Sequence, residues 1–355
     1  MEPGHLEALP RLRGVSADDL PRIPLAEYLA VGGRALTRLG APEAVARTQV
    51  AWLTEGDLRG HPSHGLRRLE VLVGRVRSGL IVPDAPPELV RSAAAVLRVD
   101  GHDGFGPPTA VRALEDLVTI ARENGVAVAA IRRAGHLGML APYVERLAGE
   151  GLVGLATTTS EALVHPWGAA PAMLGTNPLA VAVPTATDPV VLDMATGQIS
   201  RGKVLDHAAR GEPLPEGSVV DADGRATTDP QAALDGAISP FGGPKGYALA
   251  LVLEVLVATL TGTALGTDVR GTLDTTDPVT KGDLLLAMDP AAFGGGTPQA
   301  LTAFLDILRG LEPAPGSPGV TVPGDRARAH RARHADAGVP VHPDTWSAAV
   351  ALSGG

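Results

Sequence analysis

Between Val96 and Leu192 the chain alternates short apolar segments with amphipathic ones, and this alternation restricts it to folds in which helices cover a β-sheet. The spacing predicts strands at Val96–Val99, Val126–Ile131, Val153–Thr158, Leu179–Val183 and Val190–Leu192, with helices at Pro108–Asn124 and Tyr143–Gly149. The last two strands are nearly all apolar, as expected where both faces of a sheet are buried. Upstream, Ile23–Asp57 carries apolar residues at helical spacing broken at Gly40-Ala41-Pro42, which predicts two helices. Leu66–Arg77 predicts a third, stopped by Ser78-Gly79, with Pro83–Pro87 as a linker. Downstream, the sequence predicts a surface excursion at Gly211–Pro230, a buried helix at Tyr247–Leu260 and a polar loop at Thr267–Gly282. A strand at Leu284–Ala287 and a helix at Gln299–Arg309 follow, then closing helices at Arg326–Ala337 and Pro343–Leu352.

Composition excludes several functions. A formal charge of −9 leaves no basic stripe for a phosphate backbone, which argues against nucleic acid as a partner. The absence of cysteine removes disulfides, thiolate metal sites and a cysteine nucleophile together. Met1–Leu20 lacks the basic and then apolar regions of a signal peptide, and Tyr247–Leu260 contains Glu254 and is too short to span a bilayer. The expectation is a cytoplasmic protein without a membrane segment, whose anionic ligands are held by a few local cations.

The densest polar cluster is Arg59-Gly-His-Pro-Ser-His-Gly-Leu-Arg-Arg68, placed where one predicted helix ends and another begins. His64 and Arg68 stand one helical turn apart. An imidazole can exchange a proton with an alcohol or carbonyl, and a guanidinium beside it can hold a carboxylate with two hydrogen bonds. This pair suits a 2-oxo or 2-hydroxy acid; the plainer alternative is a helix cap at Ser63 flanked by solvated side chains. His61, His64 and His136 could together bind a metal, but Pro62 constrains the backbone and no carboxylate lies nearby in sequence, so no metal is expected. Asp193 ends a predicted strand and is expected either to orient His64 or to cap the segment after it. The turn Phe241–Tyr247 offers glycines, a helix start and Lys245, a combination that can cradle phosphates. No G-x-G-x-x-G joins a strand to a helix, and no G-x-S-x-G elbow is present, which argues against a Rossmann domain and against a serine hydrolase.

In this order, the stretches Asp57–Gly65, Gly135–Gly138, Pro166–Gly168, Leu174–Pro178, Val191–Thr196, Asp221–Gly224, Gly242–Tyr247, Leu260–Gly262 and Val322–Gly324 resemble the type 2 malate/L-lactate dehydrogenase family. Its relatives include ureidoglycolate and sulfolactate dehydrogenases, diketogulonate reductase and piperideine-carboxylate reductases. The resemblance implies an α/β fold with a non-Rossmann nicotinamide-binding sheet domain, residues 89–312, and a helical lobe built from residues 1–88 and 313–355. It implies a homodimer using NAD(H) or NADP(H) on a small carboxylate substrate. His64 would be the proton donor or acceptor, with Ser63 and Asp193 in its relay, and Arg68, His136 and Thr176 would bind substrate. The cofactor would be surrounded by His136, Leu137, Gly138, Met139, Gly175, Thr176, Asn177, Leu192, Asp193, Met194, Ala195, Pro244, Lys245, Pro323 and Gly324. Pro244 and Gly197 stand where relatives often carry other residues. Two further functions fit the same residues: reduction of cyclic imino acids, and a non-catalytic ligand-binding relative.

Overall fold

The computed structural model describes residues 20–272 and 274–354. At the N-terminal end a short strand, β1 (Arg22–Ile23), precedes helices α1 (Leu25–Thr37), α2 (Glu43–Leu58) and α3 (Leu69–Arg77). The predicted break at Gly40–Pro42 is observed. The third helix, however, begins later than Leu66, because two 3₁₀ turns, Pro62–His64 and Leu66–Arg68, occupy the segment that carries the polar cluster.

The central sheet contains β2 (Glu88–Ala93), β3 (Val96–Gly104), β4 (Val126–Ala134), β5 (Val153–Thr158), β6 (Leu179–Val183) and β7 (Val190–Met194), with helices α4 (Gly106–Asn124) and α5 (Ala141–Gly149) between them. Beyond β7 lie α6 (Arg201–Arg210), β8 (Val219–Val220), β9 (Ala226–Thr227), α7 (Pro230–Leu234), β10 (Ala237–Ile238) and α8 (Pro244–Thr261). The chain closes with β11 (Gly282–Met288), α9 (Pro298–Arg309), α10 (Asp325–Ala337), β12 (Val339–Pro340) and α11 (Pro343–Ser353). The large sheet runs β2-β3-β4-β11-β5-β6-β7, and only β3 and β4 pair in parallel. Strand β11 enters between β4 and β5 from the far end of the sequence, a long-range pairing that local periodicity does not encode.

One face of this sheet packs under α4 and α5, where Ala127, Ala129, Ala156, Ala180, Ala182 and Ala287 are fully buried. These small side chains let Leu114, Leu117, Val144 and Leu147 settle close to the strands, and each buried leucine contributes about 2 kcal/mol. Gly282 faces the opposite side, where a Cβ would come within 2.9 Å of Val257 on α8. The helical core joins both chain ends: β1 pairs with β12, and Tyr28, Leu36, Leu53 and Leu69 pack with Val339, Val341 and Ala349.

Three expectations change. Gly211–Pro230 is more than a surface excursion, since β8 and β9 form a three-stranded sheet with β10 over a small core containing Leu163, Val164, Leu214 and Val219. Strand β7 extends to Met194, so Asp193 lies within it. Helix α8 is buried along only one face; Val252, Val255, Leu256 and Leu260 are exposed, and by length and composition alone it could cross a membrane. Its Glu254 is buried and turned inward, accepting from the backbone N–H groups of Gly175 (3.1 Å) and Gly266 (2.6 Å).

Candidate active site

The segment from Gly56 to Arg68 is held by backbone approaches that only glycine permits. A Cβ on Gly56 would stand 2.6 Å from the His64 carbonyl oxygen, and one on Gly65 would stand 2.0 Å from Asp57 Oδ1. In the space so created, Asp57 Oδ2 accepts from the Leu66 N–H at 2.8 Å and the Tyr28 hydroxyl at 2.6 Å. Burial pushes the Asp57 carboxyl up to about 7, opposed by those two hydrogen bonds. Arg59 ties the end of α2 to α5 through a two-point pair with Glu145 at 2.7 and 2.6 Å. On the outer side α6 presses against the loop, so that a Cβ on Gly202 would lie 2.8 Å from Ser63 Cβ.

Arg68 is buried with two of its donors already committed. Its Nε donates to the Ser63 carbonyl at 2.7 Å and its Nη1 to the Thr272 carbonyl at 3.1 Å. Thr272 is itself held by Glu161, which accepts from its N–H at 2.5 Å and from its hydroxyl. Among the described residues Nη2 of Arg68 has no hydrogen-bond partner, so a fixed guanidinium offers its remaining nitrogen to a ligand.

His64 Nδ1 lies 3.2 Å from Ser63 Oγ, and its ring centroid is 5.6 Å from that of His136. His136 Nδ1 accepts the Gly138 N–H at 3.0 Å, which places the His136 proton on Nε2, where it can be donated outward. Both rings are recessed yet keep part of their surface open. Enclosure by protein, then the Arg68 charge and then His61, push the His64 imidazole down to about 3. His136 is held well below its usual value by burial and then by Arg68, His64 and Lys281. Both are therefore neutral near pH 7. His61 is exposed and lines a cleft of about 950 Å³ with Ser63, Lys203, His207 and His330, a lining that contains neither His64 nor His136.

The expected contact between Asp193 and His64 is corrected. Asp193 Oδ2 accepts from the Leu140 N–H at 3.0 Å and the Ala141 N–H at 2.8 Å, capping the start of α5. Burial raises its carboxyl to about 6. Its effect on the site runs through the backbone, because the capped turn ends the loop that carries His136.

Thr176 sits in a continuous network. Its N–H donates to Ser160 Oγ at 3.0 Å, and its carbonyl accepts the Thr196 N–H (2.7 Å) and hydroxyl (2.8 Å) just beyond Leu192–Ala195. The Thr196 carbonyl then accepts the Phe241 N–H at 3.0 Å, joining the end of β7 to the turn before Pro244-Lys245. Pro323 and Gly324 join from the other side, with the Val191 N–H donating to the Pro323 carbonyl at 3.0 Å. Asn177 departs from expectation: its side chain is fully buried and donates to Glu254 at 2.7 Å and the Ala250 carbonyl at 3.2 Å, facing α8. Gly175 is likewise tied to Glu254 by its N–H, so these two residues act as structural anchors.

Sequence reasoning missed two groups. Lys281 and Asp283 form an ion pair at 2.5 Å that is almost wholly buried and whose lysine acts electrostatically on His136. The spacing Lys-x-Asp at a strand start was its signal, since alternate residues share a face. Gln49, Trp52 and Arg75 line a small cavity together with Arg68 and His136, although their helical positions look like ordinary core.

The chain also fits a nicotinamide dinucleotide. Gly242 and Gly243 both have positive φ, a Cβ on Gly242 would meet nothing within 4 Å, and Lys245 is exposed in the first turn of α8. An open approach, the start of a helix and a cation together suit a diphosphate without a Rossmann fingerprint.

Comparison with known proteins identifies the family. The sequence model of the family described as malate/L-lactate dehydrogenase matches residues 23–349. The (2R)-3-sulfolactate dehydrogenase (NADP(+)) of Chromohalobacter salexigens is 39% identical over 308 residues, covering 86% of this chain and 90% of that protein. The Delta(1)-pyrroline-2-carboxylate reductase of Pseudomonas fluorescens is 39% identical over 323 residues, covering 90% and 95%. A crystal structure of a dehydrogenase from Sinorhizobium meliloti superposes with a TM-score of 0.90 at 46% identity, covering 96% of this chain and all of that one.

Proposed function

The chain belongs to the malate/L-lactate dehydrogenase family and is an NAD(P)-dependent oxidoreductase, and from that premise we propose that His64 exchanges the proton while a hydride moves between nicotinamide and C2 of a small 2-oxo or 2-hydroxy acid. The observation that carries this reading is the pairing of a recessed, neutral imidazole with a buried guanidinium whose Nη2 is free among the described residues. Arg68 holds the carboxylate, and the carbonyl or hydroxyl beside it lies toward His64 and His136. In oxidation neutral His64 accepts the hydroxyl proton, and Ser63 Oγ supports the ring through Nδ1. In reduction His64 must first be protonated, and the bound carboxylate favours this by offsetting the Arg68 charge that helps hold the imidazole neutral. His136 donates Nε2–H to the same oxygen and polarises it. The bound cofactor supplies or accepts the hydride. Its holders in this reading are the loop His136–Met139, the strand end Leu192–Ala195, the turn at Pro244-Lys245 and the Pro323-Gly324 turn.

A second reading is favoured by several relatives named as reductases of cyclic imine carboxylates, among them that of Pseudomonas fluorescens. Such a substrate uses the same carboxylate clamp, but its nitrogen can be protonated in solution, so its reduction depends less on His64. Nicotinamide absorbance followed with NADH and NADPH against a panel of small 2-oxo acids and cyclic imino acids separates the readings. Oxidation requiring a 2-oxo acid supports the proposal; oxidation with imines alone replaces it with the second reading.

The same reading includes a homodimer closed through the exposed face of α8, a two-lobe division at residues 1–88 with 313–355 against 89–312, and a cytoplasmic setting. Val252, Val255, Leu256 and Leu260 support the dimer, because an apolar stripe of this kind is costly to leave in water. A solution mass of one chain would remove it.

A further inference from the structure

The cleft of about 950 Å³ is lined from two helices by basic side chains. Lys203, His207 and Arg210 face it from α6, and His330, Arg333 and His334 face it from α10. Each set repeats at three and four residues, so each forms a stripe along one side of its helix. In a chain of formal charge −9 the overall composition does not lead to such a concentration of cations. The acids that line the cleft do not neutralise it: Asp57 is taken up by Leu66 and Tyr28, Asp206 pairs with Arg67 at 3.1 Å, and Asp336 is the third. Among the described residues no acid pairs with Lys203 or Arg333.

Cations of both helices act on one ring. Desolvation and then Arg326, Lys203, Arg59 and His330 hold the His61 imidazole below its ordinary value. Like charges gathered around a partly desolvated cleft repel one another until an anion lies between them. His330 Nδ1 lies 3.3 Å from Arg333 Nη2 and accepts from it, which leaves the His330 Nε2–H as a donor beside the guanidinium. The volume is that of a small-molecule site and exceeds what one inorganic anion fills, while Ile199, Pro215 and Pro340 add an apolar stretch. None of the residues assigned to the cofactor, at 136–139, 192–195, 244–245 and 323–324, lines this cleft.

We propose that the cleft between α6 and α10 is a second anion site, distinct from that of the cofactor, which binds a small organic molecule carrying two or more phosphate groups through Lys203, His330 and Arg333. The guanidinium of Arg333 meets phosphate oxygens with two parallel donors, and Lys203 adds a point charge from the facing helix. Two phosphates are needed to engage both stripes, and the apolar stretch receives the organic part. The site requires none of the reaction steps proposed above.

The test titrates ADP, as an organic diphosphate, into the full-length protein saturated with NAD(P)H, and follows the heat of binding at low ionic strength. Saturation with NAD(P)H fills the cofactor's own phosphate positions. One saturable ADP site per chain is expected, and pyrophosphate should displace ADP from it because the phosphates carry the binding. The double variant Lys203→Gln, Arg333→Gln should weaken ADP about tenfold or more and leave NAD(P)H affinity within about twofold. Both side chains are exposed, and Lys203→Gln alone, with a smaller expected loss, serves if the double variant does not fold. Binding of ADP only when NAD(P)H is absent would assign the anion to the cofactor site and overturn the proposal. So would no saturable binding at all, binding that pyrophosphate leaves untouched, or undiminished affinity in the folded variants.

Discussion

The wall of the site that carries His64 and Arg68 and the wall expected to receive the cofactor are held in different ways. Around His64 nearly every contact is buried and polar: Asp57 on Leu66 and Tyr28, Arg68 on Ser63 and Thr272, and glycines at 56 and 65 where no Cβ fits. On the other wall the Phe241–Lys245 turn is joined to the sheet by backbone hydrogen bonds, with Gly242 and Lys245 exposed. Proton transfer needs atoms placed within a few tenths of an ångström, whereas a long cofactor can be gripped at several points by an adaptable surface. Substitutions on the first wall are therefore expected to cost more than substitutions on the second.

The largest effect is expected at Gly65. Gly65→Ala drives a methyl group into the Asp57 carboxylate, and the loop bearing His64 must move. Thermal unfolding should show a loss on the order of 2–3 kcal/mol together with a fall in turnover of about a hundredfold or more. Retained activity would mean that the first wall is more compliant than its packing indicates. Next is Arg68→Ala, which should raise KM by about 10²-fold with a smaller change in kcat, read from steady-state kinetics. A loss confined to kcat would move Arg68 from holding the carboxylate to stabilising the transition state. The smallest effect belongs to the second wall: Lys245→Ala should weaken NAD(P)H binding about three- to tenfold in a fluorescence titration, and added salt should shrink the difference. A hundredfold loss there would erase the contrast between the walls.

The same contrast governs how far each region could be read from sequence. The cluster from Arg59 to Arg68 stands out by composition, and the structure brings His64, Arg68 and Ser63 together. Most strands and helices between Val96 and Leu192 were legible from periodicity, because each is a local pattern. What was not legible depends on pairing across the chain. Strand β11 inserts between β4 and β5, and Arg75 on α3 has meaning only once the 274–277 loop folds over it. Asp193 was recognised as important but assigned the wrong partner, since the α5 backbone that it caps is far away in sequence. The resemblance alone places Asn177 at the cofactor, and only the buried Glu254 on α8 shows why its side chain points inward.

The central claim is that His64 exchanges the proton, and His64→Gln tests it most directly when cofactor affinity and the pH dependence of turnover are measured on the same preparation. With the imidazole near 3 in the free enzyme, it is neutral above that pH. In the unsubstituted protein, kcat/KM for reduction should accordingly fall as pH rises, while oxidation shows no inflection from His64 near neutrality. His64→Gln should bind NAD(P)H as before, lose about a hundredfold or more in turnover, and lose the His64-dependent part of the reduction profile. Near-normal turnover with the pH profile intact would contradict the account.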